Sequence, residues 1–533
     1  MKNLITKPSN IFYLILNRPT PYLILFTFFG TIFRFMAWNF NDIPHGDIHL
    51  DYAAAWGFVK YHKLVLPFIA PRYNAVKQFE YYYPLDQHMP LWPLLGGITT
   101  LLNGYNVYSN FKILTLIFGT MLIPCSYWAF RKTFGDKSAL LASTFIAFSY
   151  ILIDYSGNGS LYILHALLFV LIILFVDTSK MGNSIIIGGL IGFAYLLNYQ
   201  AIITLIAMVI IYIFRYAFDK HKIKNVYTLV LSMMTLIILI TPWFIRNYLV
   251  FDDPFYNVNI EYLKTKLDIT SELVISNGVI KSVISTDNIH IKNIISKIFV
   301  WASRNLLYFI GRIALLVPIV SIFVPFGIIS IIQSKKCKKL NDATLLIVAL
   351  FGLHLLISCL WPVFKFRYFV PILPLTIGLG SYGIFVVELK EKTRRTIIIL
   401  SVVALIVIGI ITYIRVPTHT SYYDNNDLYH YRVGEADWQQ DERALIDTAE
   451  NLDKHTDNVI IAPIPLFFYA GRPIVLATGV SNPDILKYFI DKYNINQIVD
   501  RVDRVHFYDA FLDLEIYYSN DHYVLLTVKS IQP

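Results

Sequence analysis

Asp47 and Asp51 stand four residues apart in the stretch His45-Gly46-Asp47-Ile48-His49-Leu50-Asp51. In a helix that spacing puts both carboxylates on one face. An ionised carboxylate can take the proton of an acceptor hydroxyl, so the pair is a candidate general base. Tyr52 and Trp56 follow at once and could hold such a base beside a lipid-borne substrate. The same residues also read as a hydrated loop with two solvated acids, and the rest of the chain has to decide.

Cations that could meet an anionic substrate recur near helix ends. Arg246 follows Thr241-Pro242-Trp243-Phe244-Ile245, and Lys365 and Arg367 lie in the turn Trp361 to Phe369. Arg34, Lys112, Arg304 and Arg312 lie near other ends. A guanidinium can grip a phosphate through two N–H groups at once, whereas the bland role for any of these side chains is to snorkel to lipid headgroups. Arg312 is expected about two turns into its helix, where an unpaired charge costs roughly 2.5–3.5 kcal/mol, so it needs a partner. His88 opens His88-Met89-Pro90-Leu91-Trp92-Pro93 and is expected to orient a loop or a substrate phosphate. With His45 and His49 it could join the aspartates around a divalent metal, although the spacing fits no zinc signature. Tyr81, Tyr82 and Tyr83 are either interfacial belt or a surface on which a sugar stacks. His165 and His354 each sit alone on an apolar helix and read as satisfied core residues.

The elements that must position these groups are membrane helices. Apolar residues make up 56% of the 533 residues and charged ones only 15%, with several uncharged runs long enough to span a bilayer. The net charge of +9 would suggest nucleic acid in a soluble protein, but the basic residues fall between apolar runs, as positive-inside loops do. None of the three cysteines, Cys125, Cys337 and Cys359, lies in the polar tail, which excludes a disulfide framework there. The first apolar run has no small-residue cleavage site and reads as an anchor.

Eleven spans are expected: 19–38, 111–130, 138–153, 159–176, 183–197, 201–214, 226–243, 305–333, 343–361, 368–387 and 396–414. Every basic cluster then falls on the cytoplasmic side with the N-terminus. The apolar stretch 89–104 would invert every later loop if it crossed, so it is expected to lie along the interface. The uncharged run 183–214 is too long for one span and divides at Asn198-Tyr199-Gln200. Residues 1–415 therefore form a transmembrane domain with two large outer loops, 39–110 and 246–304. Residues 416–533 form a small extracytoplasmic α/β domain, with helical stretches at 441–454 and 484–492 and strands at 459–462, 474–477 and 523–528.

An acidic first loop, the helix Ala53-Ala54-Ala55, the His88-x-Pro90-Leu91 segment, Pro242-Trp243 through Arg246-Asn247, and Arg367-Tyr368 through Pro371 and Pro374 together resemble the GT-C superfamily of integral-membrane glycosyltransferases. The closest likeness is to bacterial protein-O-mannosyltransferases and aminoarabinose transferases. The resemblance covers most of residues 19–414. It implies a GT-C fold, a polyprenyl-phosphate sugar donor, and an acceptor protein, lipid or glycan met at the outer membrane face. It further implies inverting transfer, with Asp47 as base or Asp51 in its place and with Arg246, Lys365 or Arg367 at the departing phosphate. Lys112 falls where relatives commonly carry Arg. No nucleotide or redox cofactor is required. The chain departs from the family in having Ile48 after Asp47 and its Tyr five rather than four residues on, at Tyr52.

Two readings compete with a transferase. A flippase for lipid-linked sugars would carry ionisable or broken-helix sites near the bilayer midplane, and the mid-span positions here are almost bare of charge. A non-catalytic assembly protein would look like a transferase that has lost its base.

Overall fold

The computed structural model describes residues 19–40, 48–66, 68–69, 83–85, 88–177, 180–218, 222–257, 272–276, 279–283, 291–333, 341–360 and 366–415. Of the C-terminal part it describes 444–445, 447–452, 460–462, 474–476, 487, 490–491, 494–502, 505, 508, 512–521 and 523–531.

In chain order the elements begin with α1 (Pro19–Phe40), α2 (Ile48–Tyr61), β1 (Val65–Leu66), β2 (Phe68–Ile69), β3 (Tyr83–Pro84) and α3 (Leu91–Asn103). Helices α4 (Val107–Phe134), α5 (Asp136–Phe148), α6 (Tyr150–Gly157), α7 (Tyr162–Phe175) and α8 (Met181–Leu197) follow. A 3-10 turn at Tyr199–Ala201 leads into α9 (Ile202–Phe218), then α10 (Lys222–Phe251), β4 (Glu272–Ser276), β5 (Val279–Val283) and α11 (Ile291–Leu316). A second 3-10 turn (Val320–Phe323) opens α12 (Val324–Gln333), and α13 (Asp342–Leu360) comes next. A third turn (Phe366–Ile372) opens α14 (Leu373–Val386), before α15 (Glu391–Arg415). The tail supplies β6 (Ile460–Ala462), β7 (Ile474–Leu476), β8 (Gln497–Arg501), β9 (Leu512–Ser519) and β10 (Tyr523–Ile531).

Two compact units divide the chain. A helical unit gathers Met1–His45, Tyr108–Phe244 and Ile291–Asp424; a polar unit gathers Gly46–Val107, Ile245–His290 and Asn425–Pro533.

In the helical unit described helix underlies each of the eleven expected spans, although 138–153 and 305–333 are each interrupted. Among the described residues six helices are long and apolar enough to cross a membrane, seven if α5 and α6, bent by 55° at Ser149, count as one. The chain is thus a multi-pass membrane protein. Ile24, Phe28, Phe29 and Phe35 of α1 are exposed, which suits a helix whose surroundings are lipid. The expected division at residue 198 is real: Asn198 is extended, and its side chain accepts from the Gln200 N–H. The expected single span 305–333 is not. Helix α11 starts earlier, at Ile291, and stops at Leu316, because Pro318 cannot continue it and Ile319 turns the chain at φ 65°, ψ −51°.

The α5–α6 break is where this unit hides a charge. Ser149 is extended, so the last carbonyls of α5 lose their helical donors. Arg34, fully buried on α1, donates from Nη2 to the Ile146 carbonyl at 3.0 Å and from Nη1 to those of Ala147 at 3.0 Å and Gly30 at 2.9 Å. Its Nε reaches the Ser156 hydroxyl at 3.2 Å. Only glycine fits at 119, where a Cβ would run into that hydroxyl. Glycines also set the packing of α12 on α14: a Cβ on Gly327, Gly380 or Gly383 would meet a backbone carbonyl of the facing element.

In the polar unit a mixed six-stranded sheet runs in the order β2-β7-β6-β8-β10-β9. Strands β2, β7, β6 and β8 are mutually parallel where they pair, and β10 is antiparallel to both β8 and β9. Three of these strands lie where the sequence puts them, and residues 447–450 are helical as expected. The edge strand β2 comes from the first loop. Helix α3 packs on α2 through Gly97, whose Cβ would clash with Phe58. At 13 residues α3 is about 20 Å long, too short for the ~30 Å hydrocarbon core, in keeping with a helix that lies along the interface.

Candidate active site

Helix α2 begins at Ile48 and carries Asp51 in its first turn, where a carboxylate suits the positive end of the helix dipole. Ala53, Ala54 and Ala55 are almost wholly buried, and Gly57 lies against the Val65 carbonyl, so small side chains let α2 sink into the unit. Asp51 goes with them. It is only 2% exposed, and its Oδ1 lies 2.8 Å from His88 Nδ1. Of the two sequence options for this acid, the solvated loop residue is therefore ruled out: Asp51 is helical, buried and paired. Burial pushes the neighbouring Tyr52 phenol up, keeping it protonated.

His88 precedes α3, whose first turn tolerates Pro90 and Pro93 because the N–H groups there have no helical acceptor. The same short stretch is gripped from α10. Arg246 Nη1 donates to the Leu85 carbonyl at 2.8 Å and to Asn247 Oδ1 at 2.9 Å, and the guanidinium carbon lies 5.1 Å from the centre of the Phe251 ring. Asn247 in turn donates to the Tyr256 carbonyl. Asp51 and Arg246, far apart in sequence, thus hold His88 and Leu85 of the same unit.

Other candidates belong to the helical unit. Lys112 on α4 is 7% exposed, and its ammonium sits 4.9 Å from the Trp38 ring centre and 5.4 Å from that of Tyr108, a cation held by aromatic faces. Arg367 is buried in the turn that opens α14, with its guanidinium carbon 5.7 Å from the Tyr368 ring centre. Arg304 donates to Asn305, and Asn305 to the Cys359 carbonyl. Arg312 is not two turns into its helix. It comes four residues before the end of α11, because that helix starts at Ile291. Asp47, His45, Lys365 and Tyr82 lie outside the described residues, as do the side chains of His49, Tyr83 and Arg312.

Two readings of single residues change. His165 is fully buried, yet among the described residues neither ring nitrogen has a hydrogen-bond partner; its ring lies edge-on to Phe169, with centroids 4.6 Å apart. Arg34, counted in the sequence among cations near helix ends, proves to be fully buried. Its signal was legible only as an arginine amid an uncharged run. Among the described residues no three His, Cys, Asp or Glu side chains gather as a metal site would need.

No protein-family model and no curated protein matches the sequence. Solved structures do. ArnT from Cupriavidus metallidurans bound to undecaprenyl phosphate is similar with a TM-score of 0.62 at 12% identity, over 96% of this chain and 98% of that one. ArnT in the apo state gives 0.63. The oligosaccharyltransferase AglB from Archaeoglobus fulgidus, in complex with an inhibitory peptide and a dolichol-phosphate, gives 0.58 at 12% identity over 96% of this chain and 74% of that one. The fold is GT-C, as the sequence motifs imply.

Proposed function

We propose that this chain is a glycosyltransferase that moves a sugar from a polyprenyl-phosphate donor to an acceptor hydroxyl at the outer membrane face. The observation that carries this reading is the end-to-end likeness to a structure holding undecaprenyl phosphate. The buried Asp51–His88 pair, with the Arg246 anchor, supports it, because a paired, buried acid is an expensive arrangement for a helix without a task.

In the proposed step the acceptor oxygen attacks the anomeric carbon as the bond from that carbon to the phosphate oxygen breaks. The bonding pair leaves with the polyprenyl phosphate, and the configuration inverts. Asp47 takes the acceptor's proton, with Asp51 as the alternative base; the role is worth ~10²–10⁴-fold. Cations match the charge on the leaving phosphate. Arg246, Lys365, Arg367, Lys112 and Arg312 are the candidates for that work. His88 orients the acid and, with Tyr82 and Tyr83, the substrate. The chemistry needs no nucleotide, and a divalent ion would be an addition to the cations rather than a replacement for them.

The test is transfer from a panel of radiolabelled polyprenyl-phosphate sugars by membranes containing the full chain, with acceptor proteins, lipids and glycans supplied. Wild type is expected to transfer from at least one donor. Asp47→Asn is expected to lose transfer while still binding donor. Retention in Asp47→Asn with loss in Asp51→Asn moves the base to Asp51. No transfer from any donor overturns the reading in favour of a flippase or a non-catalytic binder.

A further inference from the structure

We infer that His354 is a positioning residue: through the Tyr368 carbonyl it fixes the turn that presents Arg367 to the donor phosphate. The inference rests on the proposed role of Arg367 and adds a residue to it. His354 lies on α13, fully buried, with Nε2 2.6 Å from the Tyr368 carbonyl oxygen. A carbonyl only accepts, so Nε2 carries the proton and donates.

The turn Phe366–Ile372 explains why that donor is needed. In a 3-10 turn the carbonyl of residue i accepts from the N–H of i+3. For Tyr368 that position is Pro371, which has no N–H. The proline thus removes the bond that would hold the turn in its middle, and a side chain from another helix supplies it. Without the His354 donor the turn loses a bond that its own main chain cannot replace at position 371, and it is free to relax. Packing keeps the donor in place. The His354 ring lies edge-on to Phe369 and to Phe169, with centroids 6.3 and 6.1 Å away, and Phe309 packs tilted against Phe369 with centroids 4.8 Å apart. Arg367 adjoins the bonded residue, so a turn free to relax at Tyr368 moves the guanidinium directly.

The experiment measures binding of undecaprenyl phosphate, and transfer where a donor is known, by the full chain in lipid nanodiscs. The variants are His354→Leu, His354→Gln, Arg367→Ala, and His354→Leu combined with Pro371→Ala. His354→Leu is expected to weaken binding about tenfold, near the net worth of one hydrogen bond, and to raise the donor KM with kcat little changed. His354→Gln, which keeps an N–H donor, should bind within about threefold of wild type. Pro371→Ala gives Tyr368 a main-chain donor and should restore much of the loss in the double variant, which a role in packing alone does not allow. Wild-type binding in His354→Leu beside weak binding in Arg367→Ala overturns the inference and leaves the proposed function standing. The same holds if the glutamine and the double variant fare no better than leucine. If Arg367→Ala binds normally, the assignment of Arg367 falls and the inference with it. If wild type binds no polyprenyl phosphate, the proposed function itself fails.

Discussion

Each unit buries a charge, and they do it differently. In the helical unit Arg34 donates to main-chain carbonyls and to a hydroxyl, groups that do not titrate near neutrality. In the polar unit Asp51 is answered by His88, a group that titrates near neutrality when unperturbed. The first arrangement repairs a broken helix, and its worth lies in stability. The second joins two groups that can exchange a proton, and under the proposed function its worth lies in chemistry. A charge buried among dipoles and a charge buried against a titratable partner therefore call for separate tests: unfolding for one, turnover for the other.

The sharpest break between them is in catalysis. Asp47→Asn, or Asp51→Asn if the base lies there, is expected to lower transfer by ~10²–10⁴-fold with folding intact. Arg34→Met should leave turnover per folded molecule close to wild type. Its loss belongs in stability. It leaves the Ile146 and Ala147 carbonyls short of a donor in an apolar interior, at a cost on the order of 3 kcal/mol in detergent unfolding. If Arg34→Met abolishes transfer at wild-type stability, the division between the two charges is wrong.

A smaller effect tests the polar pair. The double-mutant cycle of Asp51→Asn and His88→Gln is expected to show a coupling of about 0.5–3 kcal/mol in unfolding. Additive losses would mean that the 2.8 Å contact does not couple the two groups.

Smallest is an effect in the tail. Tyr518 donates to Asp447, and that bond holds its phenol above the ordinary value. The folded unit therefore holds this proton more tightly than the unfolded chain. The stabilisation is complete below the unfolded value of about 10 and is lost as pH rises through the raised one. Tyr518→Phe should flatten that decline in unfolding curves taken from about pH 9 to about pH 11.

What the sequence revealed follows the same line. Spans, the break at Asn198 and the short helix after Pro90 were legible because apolar runs and local turn residues dictate them. The start of α11 was not, since Ile291 to Ala302 mixes polar and apolar residues that a hydropathy window passes over. The Asp51–His88 contact joins residues 37 apart, and Arg34 meets Ile146 and Ala147 across 112 and 113 positions. Pairings of that kind are set by packing, which no window along the chain records. Strand β8, with its Asp500 and Arg501, lacks the apolar alternation that marked β6 and β10.

The pairing of Phe68 and Ile69 with Ile474 and Val475 bears on how the molecule is made. The two strands are separated by some four hundred residues, which a ribosome adding ~5–20 residues per second takes roughly 20–80 s to supply. Through that interval β2 has no partner, so the sheet can close only after the last helices have been inserted. A nascent chain that stalled before β7 would keep its first loop from completing. That edge of the sheet can therefore form only late in synthesis, once β7 has been made.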